Sequence, residues 1–120
     1  MRTTLYGISN CDTIRKARRW LDAHNVKYRF HDFRKEGLDR DTLQEWIAAL
    51  GWEQLLNRRG TTWRKLPQAL RDGINAQTAG TIMLEHPASI TRPVLAHDGG
   101  LFTGFREAEY SALFRQTHRS

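Results

Sequence analysis

The residue with the clearest chemical potential in this sequence is Cys11, the single cysteine among 120 residues. It follows a short β-rich run, Thr3 to Tyr6, that Gly7 interrupts, and it precedes a segment with helical spacing. A cysteine at a helix start meets unpaired backbone N–H groups and the positive end of the helix dipole. Both favour the thiolate, which is the nucleophilic form. The alternative is an inert, buried cysteine, which the polar neighbours disfavour.

Three neighbours of Cys11 bear on its reactivity. Arg15 lies one helical turn further on, so its guanidinium can reach the same end of the helix. Asp12 either opposes the thiolate or caps the helix. Ile14 stands where a Cys-x-x-Cys motif would have its second cysteine, so an adduct at Cys11 has no internal thiol to release it. An outside thiol is needed, and glutathione is the obvious candidate.

A second candidate group is Arg92-Pro93, just before a predicted strand. Arg92 is either an anion ligand beside Cys11, because guanidinium binds oxyanions in a bidentate manner, or an ordinary surface arginine. The bond to Pro93 is either cis, which would present backbone opposite a thiolate, or an ordinary strand entry. The sequence leaves both questions open.

A third candidate group lies in a predicted loop, Leu55–Trp63, which suits anion or peptide contact or is simply a charged turn. Its candidate substrate contacts are Arg58 and Arg59. The five histidines lack the spacing of metal ligands, and glycine-rich phosphate loops are absent. We therefore expect neither a metal nor a bound cofactor.

Hydrophobic spacing predicts the elements that position these residues. The segment Asp12–His24 is helical, with one apolar stripe: Ile14, Ala17, Trp20 and Leu21. Val26–Phe33 alternates with the period of a strand. One helix between two strands predicts a right-handed parallel β-α-β unit.

The second half of the chain begins with helices and ends with a hairpin. Asp39 or Asp41 is expected to cap a helix that ends near Leu50. Short helices are expected from Gly51 onward, at Glu53–Leu56, Leu66–Asp72 and Thr78–Glu85. Asp98-Gly99-Gly100 signals a hairpin between strands Val94–Ala96 and Leu101–Thr103. A last helix, about Glu107 to Phe114, carries Ala108, Ala112 and Leu113. This order predicts an α/β protein with a helical insertion.

Composition limits the class of protein. The length suits one domain, predicted over residues 1–115, with a flexible tail at 116–120. The net charge of +6 favours anionic partners, yet the basic residues are dispersed, so we expect no direct nucleic-acid binding. Membrane-span and secretory-signal patterns are absent, and one cysteine suits a reducing compartment, so we expect a cytoplasmic protein. We also expect a monomer.

Four motifs in sequence order give a resemblance to a known family: Tyr6–Ala17, Leu55–Gly60, Thr91–Val94 and Gly104–Arg106. Together they resemble the glutaredoxin-coupled arsenate reductase (ArsC) and Spx family, most closely its YffB-like branch. The resemblance covers nearly the whole chain. It implies a thioredoxin-like, three-layer α/β fold with a mixed sheet and an inserted helical region.

The resemblance also implies roles for individual residues. The family's nucleophilic cysteine corresponds to Cys11, and two of its arginines correspond to Arg15 and Arg92. Arsenate reductases use a further arginine where this chain has Asn57, and another late in the chain that falls near Phe105 or Arg106. Beside Arg58 and Arg59, the further candidate substrate contacts are Asn10, Asn57, Pro93 and Arg106.

These readings predict a glutathione-dependent thiol oxidoreductase with Cys11 as its single nucleophile, activated by Arg15 and Arg92. Glutathione would be the co-substrate, and glutaredoxin a candidate partner. One alternative is arsenate reduction coupled to glutathione and glutaredoxin. The other is a non-enzymatic, Spx-type regulator that binds RNA polymerase, for which the family's disulfide switch is missing at Ile14.

Overall fold

A computed structural model of the chain describes residues 2–115, so the predicted flexible tail, 116–120, lies outside the described residues. The chain divides into two compact units. Among the described residues, the first contains 2–32 and 92–115, and the second is Phe33–Thr91. The prediction of a single domain over residues 1–115 stays a prediction.

The first unit is built on a four-stranded sheet. The strands are β1 (Thr3–Gly7), β2 (Arg29–Asp32), β3 (Val94–His97) and β4 (Gly100–Thr103), in the spatial order β2-β1-β3-β4. β1 pairs in parallel with β2 and antiparallel with β3, which in turn pairs antiparallel with β4. The predicted parallel pairing and the predicted hairpin are confirmed, and the sheet is mixed.

The helices, in chain order, are α1 (Asp12–Ala23), α2 (Phe33–Glu36), α3 (Arg40–Leu50), α4 (Trp52–Leu55), α5 (Thr61–Arg64), α6 (Gln68–Asp72), α7 (Ala76–Glu85) and α8 (Glu107–Phe114). In the first unit, α1 and α8 pack on the sheet face that carries Leu5 and Leu95, which lie opposite each other on β1 and β3. α1 buries its whole predicted stripe: Ile14, Ala17, Trp20 and Leu21. This packing sets where α1 begins, and therefore where Cys11 lies.

The buried side of α8 is formed by aromatic residues. Its bounds agree with the prediction, but Ala108 and Ala112 are exposed, while Tyr110 and Phe114 are buried. The two aromatic side chains remove more apolar area from water than the alanines can, so their burial decides which side of α8 faces the core.

The predicted strand Val26–Phe33 is wrong at both ends, because only Arg29–Asp32 is a strand. Asn25 has a φ of 58°, and the Val26 amide donates to the Leu21 carbonyl at 3.0 Å, so Val26 closes the end of α1. Val26 is buried, so its apolar side chain fits the alternating pattern of a strand although the residue is not part of one. At the other end, Phe33 begins α2.

The second unit is helical, as predicted, but it is longer than the predicted insertion from Gly51 to Glu85. Asp39 caps α3, where its side chain accepts from the Thr42 amide at 3.3 Å, and Gly51 ends α3 with a φ of 87°. α3 and α7 pack together. Two helices were missed, α2 and α5. The one turn of α5 carries no amphipathic repeat in sequence, and it buries Trp63.

Candidate functional site

The sheet register brings three connecting segments of the first unit to one edge. Tyr6 on β1 lies opposite Val94 on β3, which lies opposite Thr103 on β4. The segments that follow Tyr6, precede Val94 and follow Thr103 therefore leave the sheet at the same edge. They are Ile8–Cys11, Arg92–Pro93 and Gly104–Arg106. The Gly104 amide donates to the Pro93 carbonyl at 2.9 Å and joins two of them.

Cys11 is the N-cap residue of α1, with extended backbone angles (φ −116°, ψ 131°). Its carbonyl accepts the first helical hydrogen bond, from the Arg15 amide at 2.9 Å. Its side chain makes no capping hydrogen bond, and the residue is partly exposed. Cys11 therefore lies beside the first-turn amides, where a helix leaves backbone donors unpaired.

Close packing between β1 and α1 holds this cysteine loop. Gly7, Ile8 and Ile14 are all buried. A Cβ on Gly7 would meet the Ile14 side chain at less than van der Waals separation, so any larger residue at this position requires Ile14 to move. The turn from β1 into α1 is fixed on both sides of Cys11.

Arg15 lies at the start of α1, as predicted, but its guanidinium contacts Asp12. The distance from Arg15 Nη1 to Asp12 Oδ1 is 3.4 Å, and both side chains are well exposed, at 47% and 90%. An exposed pair of this kind is weak and screened by salt. Asp12 therefore holds the Arg15 guanidinium only weakly, and the predicted role of Arg15 at Cys11 stays a prediction.

The Arg92–Pro93 peptide bond is cis, which answers one question that the sequence left open. Pro93 is buried and Arg92 is partly exposed. Within residues 2–115, the Arg92 guanidinium makes no hydrogen bond or ion pair. It is a cation at the same sheet edge as the Cys11 loop.

The other predicted contacts of the first unit are Asn10 and Arg106, and both are exposed. Arg106 is the N-cap residue of α8 and lies at the shared sheet edge, but its Nη2 contacts Glu109 Oε2 at 3.3 Å. Asn10 directly precedes Cys11 in the exposed turn. The predicted roles of Asn10 and Arg106 in binding substrate stay predictions.

Asn57, Arg58 and Arg59 belong to the second unit, and they form a turn there. The Asn57 amide donates to the Ser89 carbonyl at 2.8 Å, and the Asn57 side chain accepts from the Arg59 amide at 3.1 Å. The Arg58 guanidinium lies 5.7 Å from the centre of the Trp52 ring. Arg58 and Arg59 are exposed, so this turn presents two cations to solvent.

Sequence reasoning missed one polar residue at the sheet edge, Asp32. Asp32 ends β2 opposite Gly7, and only 4% of its surface is exposed. The sequence signal for Asp32 is an aspartate at the end of a run of alternating apolar and polar residues. The predicted strand Val26–Phe33 extended past Asp32, so the strand end was missed. A buried carboxylate on the strand beside the Cys11 loop is a further candidate for the site.

Residues 2–115 contain no group of three or more His, Cys, Asp or Glu side chains that could hold a metal ion. Over the same residues, no helix has the length and apolar character required to cross a membrane.

Comparison with known proteins relates the chain to one family. The ArsC family profile matches residues 6–113. A protein of Haemophilus influenzae is 42% identical over 92% of this chain and 97% of its own. The solved structure of the YFFB protein is 46% identical with a TM-score of 0.89, covering 92% and 97% of the two chains. An arsenate reductase (ArsC) related protein from Brucella melitensis is 51% identical with a TM-score of 0.78, covering 96% of each chain.

Two more distant matches bear on fold and function class. The global transcriptional regulator Spx of Listeria innocua is 29% identical over 88% of this chain and 82% of its own. A glutaredoxin from Archaeoglobus fulgidus, 13% identical with a TM-score of 0.53 over 95% and 86% of the two chains, shares the fold alone. The predicted thioredoxin-like α/β fold is confirmed. The matches support a thiol oxidoreductase as the kind of protein.

Proposed function

Because this chain belongs to the ArsC family, we propose that it is a glutathione-dependent thiol oxidoreductase with Cys11 as its single nucleophile. The observation that carries the proposal is the position of Cys11, partly exposed at the start of α1 with its sulfur free of any capping bond. A thiolate there would be stabilised by first-turn amides and the helix dipole. We place the reaction in the cytoplasm, where glutathione keeps thiols reduced.

Two cations support the proposal. Arg92 lies at the sheet edge of the Cys11 loop, and Arg15 lies one turn into α1. Their roles would be to stabilise the thiolate and to bind an anion, such as a carboxylate of glutathione, because guanidinium binds carboxylates through two parallel hydrogen bonds. Asn10, Arg106 and the turn Asn57–Arg59 remain candidates for substrate contact.

The reaction would consist of two thiol–disulfide exchanges. The Cys11 thiolate attacks the glutathione sulfur of a mixed disulfide, the Cys11–glutathione bond forms, and the substrate leaves as a thiolate. A second glutathione thiolate then attacks the glutathione sulfur bound to Cys11. Oxidised glutathione leaves, and the Cys11 thiolate returns. The second thiol must come from another molecule, because Ile14 stands where a second cysteine would be and the sequence has no cysteine besides Cys11.

The experiment compares wild-type protein with Cys11→Ser. Intact-mass spectrometry after oxidised glutathione should show one glutathione adduct on the wild type and none on the variant. Turnover of a glutathionylated peptide, in an assay coupled to glutathione reductase, should be lost in Cys11→Ser. If Cys11 is alkylated no faster in the folded protein than in urea, and no adduct forms, the proposal is wrong.

Arsenate reduction is a second candidate, supported by the likeness to the Brucella melitensis arsenate reductase related protein. Cys11 would then form a thiolate–arsenate adduct, and glutathione with glutaredoxin would supply the electrons. The position of Asn57, where arsenate reductases have an arginine, disfavours it. Arsenate-dependent oxidation of NADPH in the coupled assay would establish it, and its absence with active protein would exclude it.

A regulator is the third candidate, supported by the likeness to Spx. Such a protein would bind RNA polymerase through a surface and would not need the thiol for binding. Purified polymerase should then bind wild-type protein and Cys11→Ser with equal affinity. A lack of binding to any polymerase subunit would exclude this function.

A further inference from the structure

A shallow groove in the first unit lies apart from the cysteine loop. It has a volume of about 380 Å³ and is formed by α1 and the segment that leads into β2. Its lining residues are Arg18, Asp22, Val26, Lys27, Tyr28 and Phe30. Arg18 is seven residues beyond Cys11, which is roughly 10 Å along the axis of α1 at 1.5 Å per residue.

The Arg18 guanidinium is held in one orientation by two aromatic residues. Its Nε donates to the Tyr28 hydroxyl at 3.0 Å, and its Cζ lies 4.3 Å from the centre of the Phe30 ring. The residue is only partly exposed. The Arg18 guanidinium is held by its Nε and by one face of its plane. The side chain has therefore lost much of its conformational freedom before any ligand binds.

The remaining donors of Arg18 are unused in the described chain. A guanidinium has five N–H donors, and the contact with Tyr28 uses the one on Nε. Between residues 2 and 115, neither Nη atom makes a hydrogen bond or an ion pair. Asp22, one turn further along α1 and also in the groove lining, does not pair with Arg18.

The charge and polarity of the lining indicate which ligand fits. Arg18 and Lys27 are cations and Asp22 is an anion, so the groove carries one net positive charge and matches a monoanion better than a dianion. Val26 and Phe30 supply apolar wall. A carboxylate takes a guanidinium in bidentate geometry and has one charge, whereas a phosphate monoester has nearly two at neutral pH.

The geometry points to a binding site for a carboxylate joined to an apolar body, with Arg18 as its anion ligand. The carboxylate accepts from the two Nη groups, Lys27 adds a second positive charge, and the apolar body covers Val26 and Phe30. Two sources share this chemistry, a free aromatic or aliphatic acid and the C-terminus of a peptide that ends in an apolar residue. The site is independent of the Cys11 reaction.

The test uses 4-phenylbutyrate as the probe and its neutral amide, 4-phenylbutyramide, as the matched ligand. Titration followed by ¹⁵N–¹H NMR should shift the amides of Arg18 and Lys27–Phe30 with the acid and leave them in place with the amide. Arg18→Lys should weaken binding about tenfold, because lysine cannot offer two parallel donors. Arg19→Lys, an exposed position on α1 outside the groove, should leave the affinity unchanged.

Tyr28→Phe gives a second test, since it removes the acceptor that orients Arg18 while keeping the ring. It should weaken binding of the acid about threefold. The tripeptide Gly-Gly-Phe and its C-terminal amide distinguish the sources, and tighter binding of the peptide acid than of 4-phenylbutyrate assigns the site to a peptide C-terminus. Equal binding of acid and amide, an unchanged affinity in Arg18→Lys, or tighter binding of phenyl phosphate would each overturn the proposal.

Discussion

Gly7, the last residue of β1, packs directly on Ile14 in the first turn of α1, where a Cβ on Gly7 would lie 2.9 Å from Ile14 Cγ1. Ile14 is fully buried. Four residues separate the end of β1 from the start of α1, and Cys11 is the last of them. The position of the thiol therefore depends on this contact.

Replacement of Gly7 by alanine should both destabilise the protein and disturb the thiol. We expect the free energy of unfolding to fall by about 1–3 kcal/mol, the usual cost of an extra methyl in a tightly packed core. The rate of Cys11 alkylation should also change, because the clash displaces the start of α1. Urea unfolding and iodoacetamide kinetics measure the two effects.

Gly73→Ala is the matched control. Gly73 ends α6 with a φ of −93°, and its nearest neighbour to an added Cβ is the Ala69 carbonyl oxygen at 3.5 Å, an ordinary contact. This variant should unfold within about 0.5 kcal/mol of the wild type and react with iodoacetamide at the same rate. Equal behaviour of the two alanine variants would contradict the role given to Gly7.

Asp12 is the negative group nearest to the thiol in sequence, and it contacts Arg15 at 3.4 Å. Asp12→Asn should raise the rate of Cys11 alkylation at pH 7 about two- to fivefold, because it removes a nearby negative charge and releases Arg15. The same change should lower the free energy of unfolding by about 0.5 kcal/mol, because an acidic group at a helix N-terminus is lost. Both effects should shrink in high salt. A slower thiol reaction would contradict this reading.

The sequence predicts the first unit well because its signals are local. The stripe of α1 repeats over three turns, and Asp98-Gly99 specifies a hairpin by its own turn chemistry. Cys11 could be placed from the same signals, since it lies between a glycine-ended strand and an amphipathic helix. These local sequence patterns are therefore sufficient to predict both the fold class and the position of Cys11.

Features that depend on distant residues could not be predicted in this way. The sequence did not show that Asp32 ends β2 beside Gly7, because that pairing is set across 25 positions by the sheet register. Nor did it show that the Arg18 guanidinium would lie against Tyr28 and Phe30. Burial of Tyr110 in place of the α8 alanines is likewise a result of tertiary packing.

Arg92 is the cation whose role at Cys11 most needs a test. Arg92→Ala should slow alkylation of Cys11 at pH 7 by roughly 2–5-fold, the effect of losing a screened charge interaction of ~0.5–1 kcal/mol. Arg19→Ala removes the same charge from an exposed position two turns along α1, and it should leave the rate nearly unchanged. Equal effects of the two variants would show only a general dependence on net charge.

Tyr110 carries a buried hydroxyl that finds no hydrogen-bond partner among the described residues, although the side chain is fully buried against Trp20, Phe105 and Phe114. Burial, and secondly the charge of Glu109, raises the pKa of Tyr110 well above its ordinary value of 10.0. The folded state favours the neutral phenol. The contribution of Tyr110 to the free energy of unfolding is therefore fully present below about pH 10. The contribution is lost as the pH rises further, since the unfolded chain ionises there first.

Tyr110→Phe should therefore make unfolding less sensitive to alkaline pH. At pH 7 the variant should be as stable as the wild type or more stable by about 1 kcal/mol, because it removes a polar group that is desolvated without compensation. Tyr28→Phe, which loses the hydrogen bond from Arg18, should instead cost about 0.5–1.5 kcal/mol. Urea unfolding at pH 7 and pH 10.5 measures all three proteins. A loss of more than 1 kcal/mol in Tyr110→Phe at pH 7 would show that a bound water or another group satisfies the Tyr110 hydroxyl in solution.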